Sequence, residues 1–237
     1  RIIIEDTARE RGAPTVPAWQ GVSARRVVPL RAPGPRGPAR GEPTRLQLRT
    51  PARDYGEIQL SLRGDHQIDN AVIAVRVLEE IETAGIDVPA AAVVEGLANV
   101  SWPGRLEYRR FEDGREMILD AANNPAGAAT LAAYLADAFD RKPPLVFAAM
   151  VDKDARRMFE ALLPAVSALV ITRSSTPRSA DPDALAQLAI AAAPQLPVRV
   201  EPVRMKALAA AWEISPLIVV AGSIFLLGDV MNEVGLS

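Results

Sequence analysis

The sequence has 237 residues, 49% of them hydrophobic and 24% charged, with a formal net charge of −2; these proportions exclude a disordered or fibrous chain. It contains no cysteine and a single histidine, His66. That excludes a disulfide framework, a thiolate zinc site, a cysteine nucleophile and a Ser/His/Asp triad, and fits a reducing cytoplasmic compartment.

The start, RIIIEDTARERG, has acids close behind a short apolar run and no small-residue cleavage site, so it is not read as a signal peptide. Residues 1–53 hold 11 Arg against 4 acids. Arg outnumbers Lys 24 to 3 in the whole chain and no aromatics are interleaved with the early arginines, so nucleic acid is not expected as a partner. RAPGPRGPARGEP, residues 31–43, is too rich in Pro and Gly for helix or central strand and reads as a linker or surface loop. Leu46/Leu48 and Ile58/Leu60/Leu62 alternate on either side of PARDYG, which predicts a two-stranded hairpin flap. From Gln67 the period becomes helical, with Ile68, Ala71, Val72, Val75, Leu78 and Ile81 on one face, Asp65 as N-cap and Gly85 as stop. A short helix from Pro89 to about Leu97 follows. A second hairpin, RLEYRR and REMILD, turns at Asp113-Gly114.

From Met117 onward, apolar runs (MILD 117–120, LVFAA 145–149, ALVIT 168–172, PVRV 197–200, PLIVVA 216–221) alternate with helix-length segments rich in Ala and Leu. Strands apolar on both faces, separated by helical connections, predict a doubly wound α/β domain with a mostly parallel, Rossmann-like sheet. The longest apolar run, near Ile218 to Leu227, is broken by Gly222 and Ser223 and is far too short to span a membrane. Ligands of such sheets bind outside the carboxyl ends of the strands. The loops expected there, DAANNPAG, MVDKDARR, TRSSTPRSADPD and AGS, carry carboxylates, amides, a lysine, hydroxyls and arginines. The same residue types also cap helices. The first of these loops lacks G-x-G-x-x-G, and no G-x-x-x-x-G-K-[ST] or G-x-S-x-G occurs anywhere, which disfavours a dinucleotide dehydrogenase and a serine hydrolase.

Three strings in order, RGDHQIDNAVIAV, SWPGRLEYRR and MILDAANNPAG, resemble the HQ-x-x-NA, WPGRLE and D-G-A-H-N-P signatures of folylpolyglutamate synthases and bifunctional dihydrofolate synthases of the Mur ligase superfamily. LVFAAMVDKD, the S-x-x-PR of Ser174 to Arg178 and AGSIFLLGDV extend the resemblance. It implies an ATP-dependent amide ligase that makes an acyl phosphate and adds L-glutamate to a folate or to dihydropteroate, with ATP and Mg²⁺ as cofactors. A cytoplasmic monomer is expected, from the lack of cysteine and because no obvious exposed apolar helix face invites pairing. The resemblance assigns residues 1–100 to the end of a central ATPase domain and 101–237 to the Mur ligase C-terminal domain. By match, Asn70 would contact the adenine, Arg105 the ATP phosphates and Asp120 the ribose hydroxyls. Lys153 and Ser223 would lie near the incoming glutamate and phosphoryl group. His66 and Gln67 belong to the motif without an assigned role.

Two departures follow. Ala121 and Asn123 stand where the family signature has Gly and His, and an amide cannot carry the proton or charge that an imidazole can. Asn123 is nevertheless kept among the candidate catalytic residues with Arg105 and Lys153. The phosphate loop and most Mg²⁺ ligands of the family belong to a region that these residues do not include, so the chain alone is expected not to turn over ATP. Two further readings remain open: another Mur-type amino-acid ligase, and a non-catalytic nucleotide-binding module.

Overall fold

Side-chain alternation builds the first of two compact units. In β2 (Thr44–Arg49) Leu46 and Leu48 are buried while Arg45, Gln47 and Arg49 face solvent, and β3 (Asp54–Leu60) buries Ile58 and Leu60 in the same way. The two strands pair antiparallel with Leu46 opposite Ile58 and Thr44 opposite Leu60. The computed structural model describes residues 2–27 and 44–236; the segment 31–43 read as a linker or loop lies outside them. The expected two-stranded flap is a three-stranded sheet in the order β1-β2-β3, because β1 (Ser23–Arg26) pairs antiparallel with the far side of β2. Its four residues, SARR, carry no apolar alternation, so no sequence pattern marks them as a strand.

One face of this sheet is covered by α2 (Asp65–Thr83) and α3 (Ala90–Asn99), with Val72, Val75 and Val93 packing on Leu46, Leu48, Tyr55 and Ile58. Asp65 begins α2 instead of preceding it, and its Oδ1 accepts from Arg26 Nη1 at 3.1 Å. Gly85, at φ +96°, takes the left-handed conformation that ends a helix. Leu62 falls beyond the end of β3 at Leu60. A further helix, α1 (Ile2–Glu10), precedes β1.

The second unit runs from Ser101 through the last helix and includes residues 62–64. Its six strands are ordered β4-β5-β9-β6-β7-β8: β4 (Glu107–Arg110), β5 (Glu116–Asp120), β9 (Leu217–Ala221), β6 (Leu145–Phe147), β7 (Leu169–Ile171) and β8 (Val198–Val200). β4 is antiparallel to β5 and every other pair is parallel. This is the doubly wound, mostly parallel sheet that the apolar runs predict. Alternation within buried strands divides the core between two faces. Ile118, Phe147, Ile171 and Val219 pack with α4 (Pro125–Ala138), α5 (Ala155–Leu162) and α6 (Pro182–Ala192). Met117, Leu119, Val170 and Val220 pack with α7 (Arg204–Ile214) and α8 (Ile224–Glu233). Each fully buried Leu, Val or Phe contributes about 1.5–3 kcal/mol of hydrophobic transfer energy, so this core holds the loops above it in place.

Candidate functional site

The position of β9 creates the crevice. β9 lies between β5 and β6 and is followed by α8 on one face of the sheet, while β5 and β6 are followed by α4 and α5 on the other. Two chain connections therefore leave neighbouring strands in opposite directions, which opens the sheet edge at their carboxyl ends. Asp120, Ala221 and Phe147 are in register there. A concavity of about 330 Å³ lined by Lys142, Phe159, Glu160 and Ser167 lies at the opposite, amino end of the sheet, remote from these loops.

Asp120 ends β5 and is buried at 8% exposure. Its Oδ1 accepts the Ala122 N–H and its Oδ2 the Leu106 N–H, both at 2.9 Å. Burial pushes its carboxyl above the usual range, opposed by the two amide donors and the nearby charge of Arg105. Asp120 does not cap α4; Asn124 does, accepting from Gly127 N–H at 2.8 Å. Asn124 Nδ2 donates to Asn123 Oδ1 at 3.3 Å, and the half-buried Asn123 stays outside the cap.

Arg105 sits in the loop between Trp102 and β4. It is exposed, and among the described residues its guanidinium makes no hydrogen bond or ion pair. Its neighbours Gly104 and Leu106 are buried and both have positive φ, +69° and +47°. Leu106 is the one non-glycine residue in the left-handed region among the described residues. Such a conformation costs on the order of 1–3 kcal/mol in a non-glycine residue and persists only where the surroundings enforce it.

Three further loops line the edge. Lys153 is half-buried, 3.5 Å from Asp152 Oδ2, and Asp152 is held below the usual carboxylate range by its hydrogen bond from Arg178 at 2.7 Å. The loop after β7 is fastened to α8, where Asp229 accepts from Ser175 N–H at 2.6 Å and from Ser175 Oγ at 2.7 Å. Ser223 is the N-cap of α8; its Oγ accepts from Phe225 N–H at 3.1 Å and Leu226 N–H at 3.4 Å. The hydroxyl proton remains available to donate. Gly222, at φ +102°, admits this turn because a Cβ there would collide with the Ala148 carbonyl and the Phe147 ring.

Asn70 belongs to the first unit and is described within it. It is exposed on α2, and its Nδ2 donates to Gln67 Oε1 at 2.9 Å. Gln67 is buried, and its Nε2 lies 3.1 Å from His66 Nε2. The motif thus contains a fixed row His66–Gln67–Asn70 in which the Asn70 carbonyl and one amide hydrogen are not used among the described residues. Nothing in the sequence pattern marks the holding role of Gln67 or the left-handed Leu106, although both lie inside the motif strings. Among the described residues no group of three or more His, Asp or Glu is placed to hold a metal ion, and no helix is long and apolar enough to cross a membrane.

The family model for the Mur ligase, glutamate ligase domain matches residues 104–224, just over half of the chain. The chain belongs to the Mur ligase family. Among its relatives, the dihydrofolate synthase/folylpolyglutamate synthase of Mycobacterium tuberculosis is 40% identical over 144 residues, which are 60% of this chain and 29% of that protein. The crystal structure of Mycobacterium tuberculosis folylpolyglutamate synthase complexed with ADP and AMPPCP superposes with a TM-score of 0.83 at 30% identity, covering 98% of this Mur ligase chain and 52% of that one. That of folylpolyglutamate synthase from Thermotoga maritima gives 0.73 at 26% identity, covering 97% and 50%. The chain spans about half the length of these solved relatives.

Proposed function

We propose that the protein carrying this sequence is an ATP-dependent amide ligase of the folylpolyglutamate synthase type, which joins L-glutamate to a folate or to dihydropteroate. The observation that carries this reading is the exposed Arg105, presented beside buried Asp120 where the connections after β5 and β9 leave to opposite faces of the sheet. The similarity to the Mycobacterium tuberculosis enzyme supports it. In the first step an oxygen of the substrate carboxylate attacks the γ-phosphorus of ATP, the bond to the β,γ-bridging oxygen breaks, and ADP leaves. In the second the amine of glutamate attacks the acyl carbon, inorganic phosphate departs, and the amine gives up a proton. Charge accumulates on the phosphoryl oxygens, and a planar guanidinium such as that of Arg105 neutralises it with paired hydrogen bonds.

Asp120 keeps unused lone pairs on both oxygens after accepting its two amides and would take the ribose hydroxyls. Asn70 would meet the adenine, and Lys153 and Ser223 the incoming glutamate. Asn123 can donate a hydrogen bond to the phosphoryl group but cannot protonate it. Mg²⁺ would screen the phosphates when bound, with most of its ligands drawn from outside these residues. We assign the first unit to the end of the central ATPase domain, and we place the enzyme in the cytoplasm as a monomer.

The test is incorporation of labelled glutamate by the full-length protein with MgATP, offering dihydropteroate and a reduced folate in separate reactions, beside Arg105→Ala. Incorporation that falls at least about a hundredfold in the variant supports the reading; no incorporation with either acceptor overturns it. These 237 residues contain no phosphate-binding G-x-x-x-x-G-K-[ST], and alone they should leave ATP unhydrolysed.

A further inference from the structure

Arg105 is an exposed residue bracketed by two buried ones in left-handed conformation. A chain with that geometry cannot satisfy its own peptide groups through regular turn or strand bonds, and buried peptide groups must be satisfied by something. All four backbone polar atoms of the bracketing residues have partners from elsewhere. Gly104 N–H donates to Glu107 Oε2 at 2.7 Å, and the Gly104 carbonyl accepts Ala121 N–H at 2.8 Å. Leu106 N–H donates to Asp120 Oδ2 at 2.9 Å, and the Leu106 carbonyl accepts Arg63 Nη1 at 3.2 Å. Gly104 is also pressed against α8: a Cβ there would come within 2.6 Å of Leu227 Cδ2. The peptide groups of Gly104 and Leu106 are therefore all held, while among the described residues the Arg105 guanidinium makes no hydrogen bond or ion pair.

Among these four partners, Glu107 is the side chain that accepts the buried Gly104 N–H, and no other role has been given to it. It stands at the start of β4 with its side chain 13% exposed, and its second oxygen is held by Arg109 Nε at 2.7 Å. Arg109 is itself 44% exposed and holds the other oxygen, so the Gly104 bond does not depend on that pair. We propose that Glu107 is a positioning residue: by accepting the Gly104 N–H it holds the left-handed loop that aims Arg105 at the phosphates. This rests on the reading of Arg105 as a phosphate contact. Misplacing a contact group by about 1 Å costs up to about a hundredfold in rate, so the effect belongs in nucleotide use and not in global stability.

What matters on this account is the reach of an acceptor oxygen, not its charge. In the full-length protein, Glu107→Gln keeps an oxygen at the same reach and should hold kcat/KM for MgATP within about threefold. Glu107→Asp keeps the charge but withdraws the oxygen by one methylene, and should lose about tenfold or more, with the melting temperature unchanged. Arg109→Ala leaves the Gly104 bond in place and should stay within about threefold. Combining Glu107→Asp with Arg105→Ala should be no worse than Arg105→Ala alone, because the carboxylate acts only through the guanidinium.

On this chain itself, hydrogen exchange at the Gly104 amide should speed up in Glu107→Asp and not in Glu107→Gln. Equal losses in Gln and Asp, an Asp effect that persists undiminished without Arg105, or unchanged Gly104 exchange overturns the proposal. If Arg105→Ala itself leaves MgATP kinetics unchanged, the phosphate-contact reading has failed and the positioning role falls with it.

Discussion

Leu106 donates its N–H to a carboxylate oxygen of Asp120 fourteen positions away, and it does so from a left-handed backbone that a leucine rarely adopts. The bond ties the loop before β4 to the end of β5. Asp120→Asn keeps one acceptor and loses the other, leaving an amide at Leu106 or Ala122 unsatisfied at a cost of about 1–3 kcal/mol. The pH dependence has a definite sign. Burial raises the folded-state pKa of Asp120, so its titration adds stability at acid pH and that increment is lost as pH rises through the raised value. The stability advantage of wild type over Asp120→Asn should therefore shrink as pH increases from about 3 to about 7. Urea unfolding across that range measures it, and a gap that widens with pH would contradict the assignment.

A second buried carboxylate anchors the first unit. Glu79, 4% exposed, accepts from Thr50 Oγ1 at 2.5 Å and Tyr55 OH at 3.0 Å, and it is paired with Arg76. Burial, then the hydrogen bond to Glu79, pushes the Tyr55 phenol up to about 12. In an alkaline absorbance titration one of the three tyrosines should ionise late, and Tyr55→Phe should remove that step. Stability from Tyr55 is present below the ordinary phenol pKa and is lost as pH rises toward about 12. Glu79→Ala leaves the buried Tyr55 hydroxyl without its acceptor, takes the shorter bond from Thr50 and leaves Arg76 with Glu80 alone, and should destabilise by about 3 kcal/mol in denaturant unfolding.

Most of the second unit is legible in the sequence because its strands are buried on both faces and read as uninterrupted apolar runs. β1 is not, since SARR carries its pairing in backbone bonds alone. The site divides in the same way. Residue type and motif position single out Arg105 and Asp120, but the left-handed Leu106 has no signature because leucine is a poor residue for that conformation; only the surrounding hydrogen bonds impose it. Capping is hard to separate from binding for a similar reason. Asn123 and Asn124 are identical in type, and it is chain direction at Pro125 that makes the second one the cap.

Gly222 marks the closest backbone approach at the sheet edge. Its φ of +102° and the Ala148 carbonyl and Phe147 ring beside it leave no room for a methyl group. Gly222→Ala combines left-handed strain with overpacking and should destabilise by about 2–4 kcal/mol. The expected lowering of the thermal midpoint is measured by calorimetry, and a midpoint unchanged from wild type would show that β9 can shift to accept the side chain.

Ser223 tests whether a cap can also be a contact. At 1% exposure, with its oxygen accepting two α8 amides, it performs a structural task whatever else it does. Substitution at an N-cap costs about 1 kcal/mol for Ala but only a few tenths for Gly. Ser223→Gly and Ser223→Ala therefore remove the same hydroxyl with different losses of stability, and the extended backbone at φ −155° accepts either residue. If the hydroxyl donates to the incoming amino acid, KM for glutamate in the full-length protein should rise by roughly the same factor, about tenfold, in both variants, since a neutral hydrogen bond lost from a bound polar group is worth about that much. A KM that moves only in Ser223→Ala, in step with its lower melting temperature, would leave Ser223 as a helix cap and put glutamate recognition on Lys153.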